Sequence, residues 1–208
     1  MLSKSKKFIF IEIYRSGSRS VIKAIDEYEY KENFYEKLTK KANSITNSYT
    51  FKELPGKHST YKEYLLYLNK KYYKYYSFAF SRNPYSWQVS MFHYMKEQVN
   101  HPQHEIIKKF TFDEYISWRC NFDFNLQSNF IFDEQDKLQI SFLGKLENIN
   151  NDFADVCKTI NIDNKLPHIN ESKHVEFKNY YSSKSEKLIS KFYEKDFDLL
   201  KYRKKLYT

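Results

Sequence analysis

Arginines and serines placed where short apolar runs end are the residues of this 208-residue chain best set for chemistry. The run Phe78-Ala79-Phe80-Ser81 is long enough for a buried strand and too short for a helix, and it ends at Arg82. Asn83 then stands as a helix N-cap and Pro84 at the first helical position. Trp87, Met91 and Tyr94 follow at helical spacing and define one apolar face. A strand thus delivers a guanidinium to its carboxyl end, where a helix begins. In open α/β sheets that edge is the usual ligand site, and an arginine beside a helix N-terminus suits a phosphate. An arginine merely paired with a surface carboxylate fits the same stretch, and the stretch alone does not choose.

A second turn has the same build. Phe8 to Ile13, rich in aromatic and β-branched residues, reads as a buried strand. Tyr14-Arg15-Ser16-Gly17-Ser18-Arg19-Ser20 follows, and then Val21, Ile22, Ala24 and Ile25 in a helical pattern. Strand, polar turn and helix together can cradle a phosphate with backbone N–H groups and the helix dipole. With one glycine and no lysine, the turn lacks the GxxxxGK[ST] of a nucleoside-triphosphate loop; an ordinary serine-rich turn is the competing assignment. His58 lies on a loop just before a helix that Ser59 or Thr60 would cap and that runs through Leu68. The His101-Pro102-Gln103-His104 run invites a metal assignment, but Pro102 blocks a regular helix and no third ligand is near, so no metal is expected.

The elements that must position these residues can be read more coarsely. A helix is expected near Asn33–Asn43, a strand at Tyr49–Phe51, a helix at Phe112–Trp118 capped by Thr111, and an irregular aromatic loop over Asn121–Phe132. Leu138–Gly144 alternates like a strand. A helix follows over Ile149–Ile160, with Phe153, Val156, Cys157 and Ile160 on its apolar face, and a last helix spans Ser183–Leu199. Strands at 8–13 and 76–82, each followed by a helix, imply parallel pairing. The expected fold is a three-layer α/β domain over residues 1–208, with a mainly parallel sheet of about four to five strands flanked by helices. Both anion-suited turns would then share one carboxyl edge.

Composition narrows the classes. Lys and Arg number 35 against 26 acidic residues, a formal net charge of +9, which favours an anionic ligand or surface. The basic residues are scattered and no RNA-binding signature appears, which argues against a nucleic-acid binder. Three glycines and four prolines leave no long flexible linker. Cys120 and Cys157 stand far apart with no CxxC, as reduced core residues do. The apolar run near the start is too short for a signal peptide or a membrane span, so a cytoplasmic protein is expected.

Taken together, five segments resemble the sulfotransferase family 2 group, the Golgi-type carbohydrate sulfotransferases and their bacterial relatives. Tyr14 to Ser20 is similar to the family's Pro-Lys-Thr-(Ala/Gly)-Gly-Thr-Ser turn, and Arg82-Asn83-Pro84 through Ser90 to its Arg-Asn-Pro…Ser element. Phe142-Leu143-Gly144-Lys145-Leu146-Glu147-Asn148 resembles Phe-Ile-Gly-Arg-Phe-Glu-Asn; Leu166-Pro167-His168-Ile169-Asn170-Glu171-Ser172 resembles Leu-Pro-His-Leu-Asn-x-Ser; Tyr193 to Phe197 resembles Tyr-x-x-Asp-Phe. The first segment departs most, with Tyr14, Arg15, Ser16 and Arg19 where the family has Pro, Lys, Thr and Thr.

The resemblance implies a P-loop-like fold and transfer of a sulfuryl group from 3′-phosphoadenosine 5′-phosphosulfate (PAPS) to a hydroxyl or amine, on a glycan or similar acceptor. It implies that Arg15, Ser16, Gly17, Ser18, Arg19 and Ser20 hold the 5′ end, with Arg15 stabilising charge on the leaving oxygen. Arg82 and Ser90 would take the 3′-phosphate, and Asn170 and Ser172 would border the adenine. His58, which titrates near neutrality when unperturbed, is the candidate base for the acceptor proton. Glu12 is the second candidate, or else a buried, paired carboxylate. The departures in the first turn keep open a chain that binds the donor without transfer.

Overall fold

The computed structural model describes residues 1–32, 54–68, 74–167 and 176–206. Within them the chain is an α/β domain built on a four-stranded sheet whose spatial order follows the sequence. Strand β1 is the short Leu2–Ser3, β2 is Phe8–Ile11, β3 is Tyr76–Ser81 and β4 is Phe142–Lys145. β1 pairs antiparallel with β2, whereas β2 with β3 and β3 with β4 are parallel, with Phe10 opposite Phe78 and Phe80 opposite Gly144. β2 is buried along its full length and β3 at all but its first residue, which explains their unbroken apolar sequences.

Alternate strand residues feed two cores. Phe8, Phe10, Phe78 and Phe80 pack with Val21, Ala24 and Ile25 of α1 (Ser18–Ile25) and with Phe153, Val156, Cys157 and Ile160 of α6 (Ile149–Ile160). Ile9, Ile11 and Ala79 face the other way, onto Tyr61 and Tyr64 of α2 (Tyr61–Tyr67) and onto Phe130 and Ile131. Helices therefore cover both faces. A third core joins α3 (Pro84–Glu97) and α5 (Phe112–Phe122) to α7 (Ser183–Phe192) and α8 (Glu194–Leu199), and the short α4 (His104–Ile107) lies against α3.

Local signals set the boundaries. Thr60 and Thr111 close capping boxes with Glu63 and Glu114 at the starts of α2 and α5. Asn83 Oδ1 accepts from the N–H groups of Tyr85 and Ser86, with Pro84 at the first helical position. α6 spans the expected residues. The paired part of β4 starts only at Phe142, because upstream Leu138 bridges Phe132 instead of β3. The single helix expected at the C-terminal end is two, divided at Tyr193, which is fully buried. α5 runs four residues beyond the expected Trp118. The helix expected over 33–43 and the strand over 49–51 lie outside the described residues. Cys120 and Cys157 are buried free thiols. No helix among the described residues is long and apolar enough to cross a membrane.

Candidate anion-binding site at the carboxyl edge of the sheet

Parallel pairing of β2 with β3 places the two polar turns side by side. Arg15 adopts a left-handed φ of 61° and Gly17 one of 87°, so the chain doubles back before α1 starts. The Ser16 and Ser18 hydroxyls both donate to the Ile13 carbonyl, at 2.6 and 2.7 Å. Their protons shape the turn instead of pointing outward. No side chain caps α1 and its first turn carries no acidic residue, so its positive end faces the edge uncompensated. Ser20 sits half-buried in that first turn.

Arg15 and Arg82 meet across the two turns. Arg82 donates from Nη1 to the Arg15 carbonyl at 3.2 Å and from Nε to Ser86 Oγ at 2.8 Å. Arg15 donates from Nε to Ser90 Oγ at 3.0 Å. Its guanidinium lies 4.9 Å from the centre of the Tyr94 ring, and that of Arg19 lies 6.0 Å from the same ring. Among the described residues no carboxylate reaches ion-pair distance of any of these three arginines, whereas Arg119, deeper in the protein, is paired with Asp123. Burial pushes the Arg82 guanidinium down to about 10, and the charge of Arg15 adds to the fall. Burial and then the Arg19 charge lower Arg15 as well. Glu147 and Glu97 offset these falls only in part, from beyond ion-pair distance, and a bound anion would supply further negative charge.

The start of α3 contributes differently. Asn83 already occupies two of its N–H groups, so that helix offers the side chains of Arg82, Ser86 and Ser90 more than bare amides. Asn83 N–H in turn donates to Glu147 Oε1 at 2.8 Å.

His58 stands at the same edge. Its Nδ1 lies 3.0 Å from the Glu12 carbonyl, which can only accept. In the neutral ring the proton is therefore on Nδ1, which leaves Nε2 as the nitrogen with the lone pair. The ring meets Tyr14 edge-on at 5.7 Å, and Tyr14 stacks on Trp87, whose indole N–H donates to the Tyr14 carbonyl at 2.7 Å. Glu12 is buried, and its carboxylate approaches the Met1 amino group at 3.9 Å, away from the arginines. It matches the paired-carboxylate alternative more closely than the role of base.

The structure thus brings together Arg15, Gly17, Arg19, Ser90, Arg82 and, through the Glu12 backbone, His58. Asn170 and Ser172 lie outside the described residues. Sequence reasoning overlooked Ser86, in the first turn of α3 and within reach of the Arg82 side chain just before it, and Tyr94 as a platform for two cations. Among the described residues no group of three or more His, Cys, Asp or Glu side chains is arranged to hold a metal ion. His101 and His104 are spent locally, on the Gln103 N–H and near the Met95 carbonyl. No family model, curated protein or solved structure matches the chain.

Proposed function

We propose that the chain is a PAPS-dependent sulfotransferase of the family 2 kind, with a P-loop-like sheet, acting on a hydroxyl or amine of a glycan or similar acceptor. The observation that carries the proposal is the convergence of Arg15, Arg19 and Arg82, without ion-paired carboxylates, at one edge of a parallel sheet. A donor with phosphates at both its 3′ and 5′ ends supplies the negative charge this edge lacks. Arg82, Ser86 and Ser90 would take the 3′-phosphate. Arg15, Arg19 and the start of α1 would face the phosphosulfate, with Gly17 supplying the left-handed turn that leads into that helix. When bound, PAPS supplies an activated sulfuryl group on a phosphate leaving group. The protein's part is to take the acceptor proton on His58 Nε2 while the acceptor oxygen bonds to sulfur, and to hold charge on the departing oxygen with Arg15. The two free thiols fit a reducing, cytoplasmic setting.

One observation favours a second assignment, donor binding without transfer. Arg15 is committed to Ser90 and Tyr94, both on the Arg82 side of the edge. Transfer of radiolabelled sulfate from PAPS to a panel of polysaccharides and small hydroxylated acceptors separates the two. The proposal predicts incorporation that falls roughly 10²- to 10⁴-fold in His58→Ala. Tight binding of the nucleotide with no incorporation into any acceptor would instead establish the second assignment.

A further inference from the structure

The Tyr-x-x-Asp-Phe segment at the C-terminal end has no place in the chemistry above, yet Asp196 is fully buried. No cation reaches ion-pair distance of its carboxylate among the described residues. Instead Oδ2 accepts the Gln127 N–H at 2.8 Å and Oδ1 the Ser128 N–H at 2.9 Å. Gln127, also fully buried, turns its amide onto the backbone of one residue. Its Oε1 accepts the Arg82 N–H at 2.9 Å and its Nε2 donates to the Arg82 carbonyl at 2.8 Å.

Both contacts fall where β3 has just ended at Ser81. The Gln127 amide presents one acceptor and one donor to Arg82, as a neighbouring strand's peptides would, and so extends the order of the sheet by one residue. A buried carboxylate without a cation is costly to desolvate, and here that cost is offset through the two backbone N–H groups that seat Gln127. Retaining the pair makes sense where the Arg82 backbone needs fixing.

We propose that Gln127, seated on Asp196, is the positioning residue for Arg82, holding its backbone so that the guanidinium is aimed at the anion before the anion arrives. This rests on the assignment of Arg82 to the donor's 3′-phosphate. Preorganisation of this kind contributes to affinity without adding charge.

The test is calorimetric titration with adenosine 3′,5′-bisphosphate, at a temperature well below each variant's melting midpoint. Gln127→Met removes both contacts and should weaken binding roughly tenfold, the scale on which outer partners of ligand-binding groups act. Asp196→Asn, which keeps one accepting oxygen, should weaken it less, and it carries the test if Gln127→Met does not fold. In an Arg82→Lys background, where the guanidinium is already gone, Gln127→Met should change affinity by less than about twofold. A lowered melting midpoint with wild-type affinity would overturn the proposal, because the pair would then be purely structural. An equal loss in both backgrounds would overturn it too. If the wild type itself fails to bind, the assignment of Arg82 falls first, and the positioning role falls with it.

Discussion

Gly17→Ala is the sharpest test of how the first turn is built. A Cβ placed on Gly17 would lie 2.6 Å from Ile149 Cδ1 and 2.8 Å from Leu146 Cδ1, both closer than carbon atoms tolerate. The backbone there has φ of 87°, a left-handed conformation that costs a side-chain-bearing residue about 1 kcal/mol or more. Both atoms end flexible, half-exposed side chains that can swing aside, so displacing them adds about 1 kcal/mol at most. The expected loss is therefore about 1–3 kcal/mol, which for a chain of this length lowers Tm by roughly 2–12 °C. Gly56→Ala is the control, since a Cβ there meets nothing within 4 Å and should leave stability within about 0.5 kcal/mol. Thermal denaturation followed by circular dichroism reads both. The loss should come with weakened nucleotide binding, because any shift at Gly17 moves the start of α1. A Gly17→Ala protein that melts with the Gly56→Ala control would refute the packing described for this turn.

Further outcomes are expected elsewhere. Burial raises the tyrosines at positions 64, 115, 181, 193 and 202, and takes Tyr85 to about 12. The unfolded chain then loses phenolic protons near pH 10 while the folded chain keeps them, so stability falls as pH rises through that range; ultraviolet titration should show these groups ionising only as the protein unfolds. Burial also takes the Cys120 thiol to about 11 and raises Cys157, so neither should react with a disulfide reagent at pH 8 until denaturant is added. Thr111→Ala removes the capping box of α5 and should lower Tm by roughly 2–4 °C, whereas Thr111→Ser should hold it.

Much of this architecture is local and was legible in the sequence. The unbroken apolar runs identify β2 and β3, and Asn83, Pro84, Thr60 and Thr111 mark helix starts through side chains that act within three residues. Arg82 and Arg15 were recognisable as strand-end cations for the same reason. Contacts that join distant parts of the chain were not. The Gln127 amide reaches Arg82 across 45 residues and Asp196 reaches Gln127 across 69, with no periodicity linking them. The break at Tyr193 was hidden because both flanking segments keep a helical apolar pattern. Part of the tyrosine content serves the site: Tyr94 underlies two arginines, and Tyr202 donates to Glu147, which accepts the Asn83 backbone N–H.

The central claim is that the arginine-rich edge binds a nucleotide bisphosphate, and calorimetry of adenosine 3′,5′-bisphosphate with wild type and Arg82→Ala tests it most directly. Saturable binding by the wild type, weakened at least about 30-fold in Arg82→Ala, is the predicted result, since removing a desolvated charge partner costs about 2 kcal/mol or more. Absence of binding by the wild type, or equal binding by both proteins, would contradict it.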